Sequence, residues 1–293
     1  MPELSKRILA GVVLAPLVLA LVLLGGAALT ALLAVASALA AGEFYRIARA
    51  AGHAPLSDLG CAIAGLIPLT VHASYLGLYQ PRFGTLALVV LVVMGAALWA
   101  RGSNGKPLAA VATTLMGAIY TGGLLSFGYA LRYHNYAVSG ARVGSMEIAA
   151  GAVVLGLPVL LTWATDIGAF QVGRSVGGRK LMPAVSPGKT VSGAIGGLGA
   201  AIIVAWLYVR FALRPAAQLA FTPVGLIVFA VAVSVAGQVG DLFESLLKRE
   251  AGVKDSSQLI PGHGGVLDRL DSLFFVLPVA YVLMGWLLIP APR

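Results

Sequence analysis

Cysteine occurs once in the 293 residues, at Cys61, so neither an intrachain disulfide nor a cysteine-based zinc centre is available. A lone small residue inside an apolar run, it reads as packing. Histidine is nearly as scarce, with four copies. His53, His72 and His134 have no neighbours at metal-ligand spacing and read as structural or interfacial. No Ser-His-Asp or Cys-His arrangement stands out, so covalent catalysis is not indicated. The largest deficit is charge: 11% of residues are charged, against 59% hydrophobic. That balance lies outside the range of an ordinary soluble domain and points to a polytopic membrane protein. The net charge is +9, yet the basic residues are scattered between apolar runs and form no patch with interleaved aromatics. Nucleic acid is therefore disfavoured, and positive loops against an anionic membrane surface explain the charge better.

What is present is a series of apolar runs of near-spanning length. The run from Ile8 to about Leu24 follows Lys6 and Arg7 and on its own has the form of a signal peptide. Another span follows almost at once, with no soluble domain behind it to export, so it reads as a first transmembrane helix. A Gly25-Gly26 break leads to a second run at about 27–41, which ends in the charged string GEFYRIARAAG. Further runs lie at about 59–79, 84–100, 108–131, 147–165, 192–213, 222–243 and 271–290. The expectation is an all-α protein of nine spans forming one membrane domain, 1–145 mainly scaffold and 146–293 carrying the chemistry. With the N-terminus in the cytoplasm, fourteen of the 20 Lys and Arg residues fall inside; only Arg82, Arg132, Arg142, Arg210, Arg214 and Arg293 fall outside. The same topology puts segments 166–191 and 244–270 on the cytoplasmic side.

Both segments are polar where the surroundings are not. Ionisable groups at membrane depth are expensive and by default mark a site. In GQVGDLFE (237–244) and the stretch that follows, Asp241, Glu244, Ser245 and Lys248 fall at i, i+3, i+4 and i+7, one face of a helix. Asp268, Asp271 and Ser272 repeat the pattern at i, i+3 and i+4 where the last apolar run begins, so two carboxylate-bearing helix ends flank one Gly-rich loop. Asp241, Asp255, Asp268, Asp271 and Glu244 would repel a phosphate-rich ligand unless a hard divalent cation were held between them. Lys248, Arg249, Lys254, Arg269 and, if protonated, His263 can neutralise phosphates or pair with those carboxylates. Earlier, SPGKT (186–190) ends like a P-loop, but the required first glycine would fall at Pro183 and no strand is expected before it. A looser role suits it better: Ser186, Lys189 and Thr190 place a cation and two hydroxyls just ahead of a helix, where an oxyanion would bind. Asp166, in WATDIGAF, reads either as a helix cap or as part of the site. Gly173, Gly177 and Gly178 with Arg174, Arg179 and Lys180 make a flexible basic loop, suited to phosphate or to an anionic lipid surface. Gly193, Gly196, Gly197 and Gly199 read as small residues that let helices approach closely. Pro158, Pro278 and Pro290 are of the kind tolerated in spans. Composition and spacing thus describe a polytopic membrane enzyme that handles phosphate with carboxylate-bound metal.

The string S-x2-K-R-x4-K-D-S-x4-P-G-H-G-G-x-L-D-R-x-D, from Ser245 to Asp271, resembles the hallmark of the phosphatidate cytidylyltransferase (CDP-diacylglycerol synthase) family. The resemblance extends to GQVGDLFES (237–245) and to TDIGAFQVGRSVGGRKLMPAVSPGKTVSG (165–193). Two positions depart: Gly188, where the family pattern has a lysine, and Ser192, where it has an acid. The resemblance implies transfer of a cytidylyl group from CTP to phosphatidate, giving CDP-diacylglycerol and pyrophosphate, with Mg2+ as cofactor and a second metal left open. It implies Asp241 and Asp268 as metal ligands, with Asp166, Asp255 and Asp271 as further ligands or supports, and Lys189 with Ser186 and Thr190 on phosphate. Lys248, Arg249, Lys254, Arg269 and His263 complete the expected working set; His263 stays open between base, ligand and hydrogen-bonding prop. The expected setting is a bacterial-type cell membrane with the site facing the cytoplasm, and a homodimer stays open. Two rivals are weaker. A secondary transporter would need an internal repeat, and none is visible. A CDP-alcohol phosphotransferase would carry D-G-x2-A-R-x8-G-x3-D-x3-D, which is absent. On this reading Asp241→Asn and Asp268→Asn should both fold normally and lose activity.

Overall fold

The structure is a computed structural model that describes residues 3–102, 104–134, 144–260, 262 and 264–291. Helices dominate. In chain order they are α1 (Glu3–Leu24), α2 (Gly26–Ala50), α3 (Ser57–Tyr75), α4 (Phe83–Arg101), α5 (Pro107–Ala118), α6 (Phe127–Arg132), α7 (Gly144–Val176), α8 (Val191–Tyr208), α9 (Arg214–Ala217), α10 (Pro223–Glu250) and α11 (Leu267–Leu287). A π-turn at Ile119–Gly123 follows α5, and another at Val209–Leu213 joins α8 to α9. Among the described residues seven helical segments are long and apolar enough to cross a membrane. They are α2, α4, Pro107–Arg132, Ala150–Val176, Val191–Ala217, α10 and α11. The chain is therefore an all-α polytopic integral membrane protein, but the expected count of nine spans is not established. Among the fully described residues, α1 contributes the shorter apolar stretch Val12–Leu24, and α3, with Asp58 and His72 in its sequence, is not among the seven. Large apolar side chains stay uncovered along these rods: on α4, Leu86, Leu88, Leu91, Val92 and Leu98 are all more than half exposed. In water such a surface would be a liability, whereas in lipid it is the outer face of a span.

The last apolar run is shorter than expected. Helix α11 stops at Leu287, and Leu288–Pro290 becomes strand β4, antiparallel to β3 (Leu219–Phe221). Pro290 thus ends a strand and is not a tolerated proline within a span. Pro158 and Pro278 do lie inside helices.

Contacts divide the chain into two units. The first comprises Met1–Tyr129 with Leu247–Leu270, the second Ala130–Leu246 with Asp271–Arg293. In the first, Tyr45 of α2 is fully buried and donates to the Thr114 carbonyl at 2.6 Å. A Cβ at Gly60 of α3 or at Gly117 of α5 would strike its ring, so these two positions admit no larger residue without rearrangement. Arg101, closing α4, donates to the Ala54 and Pro55 carbonyls at 3.0 and 2.8 Å and fixes the 52–56 turn.

In the second unit, α7 and α8 run against each other with backbones nearly touching. A Cβ on Gly193 would lie 2.7 Å from the Ala169 carbonyl, and one on Gly197 would lie 2.9 Å from that of Thr165. Gly196 is similarly blocked by Val172, while Gly199 faces open space. Three of the four expected glycines thus serve close helix approach. Polar side chains join the third helix to this pair: Thr165 donates to Ser234 of α10 at 3.0 Å, and Gln238 of α10 reaches the Ala194 carbonyl of α8 at 3.4 Å.

Candidate active site

Between α7 and α8 the chain makes a small hairpin, β1 (Lys180–Met182) against β2 (Ser186–Thr190). Contrary to the expectation that no strand precedes SPGKT, β1 does, and SPGKT itself is the strand that pairs with it. It still lacks the wrap of a P-loop, because the segment is extended and paired. Thr190 is the N-cap of α8: its hydroxyl oxygen accepts from Gly193 N at 3.0 Å. Ser192, one of the two departures from the family pattern, lies 3.1 Å from the Thr190 hydroxyl and donates to the Gly177 carbonyl. These bonds place the end of β2 where Lys189 projects to α10. Its Nζ lies 2.7 Å from Asp241 Oδ2, with about a third of each side chain exposed. Asp166 on α7 is within electrostatic reach of both Asp241 and Lys189. Among the described residues, the opposite oxygen of Asp241 takes a long 3.4 Å bond from Ser245, one turn on. Three of the expected residues, from three helix-linked segments, thus meet in the second unit. Asp271, also there, bonds the following amide, Ser272 N, at 2.6 Å. Its backbone carbonyl packs against Gly240, where a Cβ would lie 2.6 Å away.

The first unit holds a second and denser cluster. Lys248 Nζ lies 2.8 Å from Asp268 Oδ1, with the side chains 12% and 7% exposed. Asp268 also accepts from Ser256 N at 3.2 and 3.0 Å, from Ser256 Oγ at 2.8 Å and from Gly265 N at 2.8 Å. The loop that supplies these donors closes on itself through Ile260 N to the Gly264 carbonyl at 2.9 Å, with Gly262 and Gly264 at φ of 73° and 82°. Those two glycines are required, since a side chain at positive φ is strained. Glu43 of α2, only 4% exposed, accepts from Ser256 Oγ, Ser257 Oγ, Val266 N and Leu267 N at 2.9, 2.5, 3.1 and 2.7 Å. It satisfies amides at the start of α11 that the helix itself cannot.

Of the remaining expected residues, Lys254, Asp255, Arg249 and Arg269 lie exposed, with Arg249 making a long 3.4 Å bond to the Val253 carbonyl. Ser186 is half-buried on β2. His263 lies outside the described residues. Sequence reasoning passed over Glu43, although the rule that singled out Asp241, a carboxylate inside an apolar run, applies to it equally.

The donors here suit a hard cation. They are carboxylate oxygens, and in each unit a lysine ammonium already sits against one, at 2.7 or 2.8 Å, as a stand-in positive charge. Among the described residues no group of three or more His, Cys, Asp or Glu gathers as a metal cage. A Mg2+-like ion is typically bound through only one or two carboxylates, with water or substrate oxygens completing the shell, and these donors are compatible with that chemistry. Asp241, with one oxygen only weakly engaged, has room for this; Asp268 is already filled by donors.

Residues 5–287 match the Cytidylyltransferase family. A phosphatidate cytidylyltransferase of Bacillus subtilis (strain 168) is 32% identical over 288 residues, covering 97% of this chain and 99% of that protein. One from Synechocystis sp. is 31% identical over 299 residues, covering 97% of each. A third, from Haemophilus influenzae, is 50% identical over 119 residues, 41% of each chain. The chain belongs to the cytidylyltransferase family. It is thus an enzyme of the nucleotidyltransferase class, as the motif at 245–271 led one to expect.

Proposed function

We propose that the chain is a CTP:phosphatidate cytidylyltransferase that makes CDP-diacylglycerol and pyrophosphate at the cytoplasmic face of a bacterial cell membrane. Near-full-length similarity to proteins of that name supports the substrates. The single structural observation that carries the reading is Lys189 of β2 against Asp241 with Asp166 in reach, a charged group whose two acids stand on apolar helices long enough to span a membrane.

A phosphate oxygen of phosphatidate attacks the α-phosphorus of CTP in line; the new P–O bond forms as the bond to the β-phosphate breaks, and pyrophosphate leaves with the electron pair. The nucleophile is already anionic near neutral pH, so no strong general base is needed. Positioning and charge neutralisation are what remain for the protein to supply. A divalent cation, when bound, would polarise the reacting phosphoryl oxygens, and the carboxylates proposed to hold it are Asp241 and Asp166, with Asp271 in support; Asp268 is proposed to take part separately, through its pair with Lys248. Lys189 moves from Asp241 onto a substrate phosphate as a point charge. Lys248 and Arg249 offer further cations to the departing pyrophosphate.

The test is purified protein with labelled CTP, phosphatidate and Mg2+, scored for CDP-lipid and pyrophosphate. Absence of product with every divalent ion tried would sink the reading. Orientation is tested separately by a reporter fused at Arg293, expected to read as extracytoplasmic; a cytoplasmic signal there changes the number of spans by one.

A further inference from the structure

We propose that Glu43, on α2, is a positioning residue for the reaction, holding the 256–267 loop and the start of α11 so that Asp268 keeps its place. This rests on the reading that Asp268 takes part in the chemistry.

The bonding leaves little slack. Oε1 of Glu43 accepts from Ser257 Oγ and Val266 N; Oε2 accepts from Leu267 N and shares the single Ser256 Oγ proton with Asp268 Oδ2, at 2.9 and 2.8 Å. One turn further along α2, Arg46 Nη2 donates to the Ser256 carbonyl at 2.6 Å, so α2 grips Ser256 at both its hydroxyl and its backbone. Ser256 in turn contacts Asp268, as does Gly265, immediately before Val266. Every donor that these bonds give Asp268, apart from Lys248, comes from the segment that Glu43 holds. Release of that segment would take those donors away from Asp268.

Packing alone does not explain a carboxylate here. Burying the charge carries a penalty of several kcal/mol that only donors of this number offset, and a negative group at a helix start is further favoured by the dipole. Glutamine cannot substitute: it has one acceptor oxygen, and its amide must face either the Val266 or the Leu267 N–H. The fit is close enough that a Cβ on Gly265 would overlap both Glu43 Oε2 and Ser256 Oγ. A neutral structural filler would need neither the charge nor this clearance.

The experiment compares full-length wild type with Glu43→Gln in detergent, by hydrogen exchange at the 265–267 amides without metal and by steady-state kinetics with CTP, phosphatidate and Mg2+. Exchange at Val266 and Leu267 is expected to accelerate. Turnover should fall about 10- to 100-fold, as for supporting residues around a metal site. KM for CTP should stay within about twofold, because the loss falls on the chemical step. Wild-type exchange rates overturn the proposal; so does faster exchange with unchanged kcat, or a loss of rate matched by an equal loss of folded protein. If Glu43→Gln does not extract folded, Glu43→Asp takes its place, keeping both acceptors on a shorter stem; the same two changes are expected at smaller amplitude, and their absence is equally fatal. Wild type that makes no CDP-lipid instead overturns the proposed reaction and with it the catalytic part of this inference, while the exchange rates still decide whether Glu43 holds the loop.

Discussion

Two lysine–aspartate pairs of nearly equal length sit in very different surroundings. Lys189–Asp241, at 2.7 Å, is about a third exposed and has one other weak bond. Lys248–Asp268, at 2.8 Å, is nearly buried, and its carboxylate takes three further donor groups from the loop. The same two charges therefore do different work. An exposed pair contributes little to stability and exchanges partners at low cost. A buried pair leaves an uncompensated charge when either member is removed. The open pair is suited to meeting a ligand, and the closed one to holding its loop in register.

Mutations separate these roles, and the largest effect belongs to the open pair. Asp241→Asn should extract in normal yield with a near-normal melting temperature while losing at least about 100-fold in CTP-dependent product; a misfolded variant that regains specific activity once purified would make Asp241 a structural partner instead. Asp268→Asn, which the sequence treats as equivalent, should lose activity and also about 3 kcal/mol of stability, because Lys248 loses this carboxylate and an amide faces the Ser256 and Gly265 N–H groups. Equal melting temperatures for the two variants would erase the contrast. Lys189→Ala removes a cation without breaking a buried network, so about a 100-fold loss of turnover in a folded protein is expected; wild-type kinetics would return β2 to an ordinary surface hairpin. The smallest change is Gly265→Ala, where the added methyl meets Glu43 and Ser256 and should cost about 1–3 kcal/mol, read as a lower melting temperature.

Much of this was legible in the residues. Apolar runs disclosed the helical membrane fold because lipid leaves few other ways to satisfy a backbone, and the spacing of Asp241 and Lys248 placed them on one helix. Boundaries were less legible. Leu288–Pro290 is as apolar as the helix before it, and only pairing with Leu219–Phe221 makes it a strand. The β1–β2 hairpin was invisible for a related reason: strands of three and five residues are too short to carry a periodic signal. Glu43 was missed because its partners lie far away in sequence, and no local pattern announces which of several carboxylates will find backbone amides.

That distance has a consequence for how the protein is made. The donors to Glu43 follow it by 213 to 224 residues. At bacterial synthesis rates α2 therefore waits on the order of 10–45 s with its carboxylate unmatched. During that interval the helix carries an ionisable group that lipid disfavours, and only the arrival of the 256–267 segment removes the penalty. A chain halted before Ser256 would leave the Glu43 carboxylate without these donors, so α2 reaches its final electrostatic setting only after most of the chain has been made.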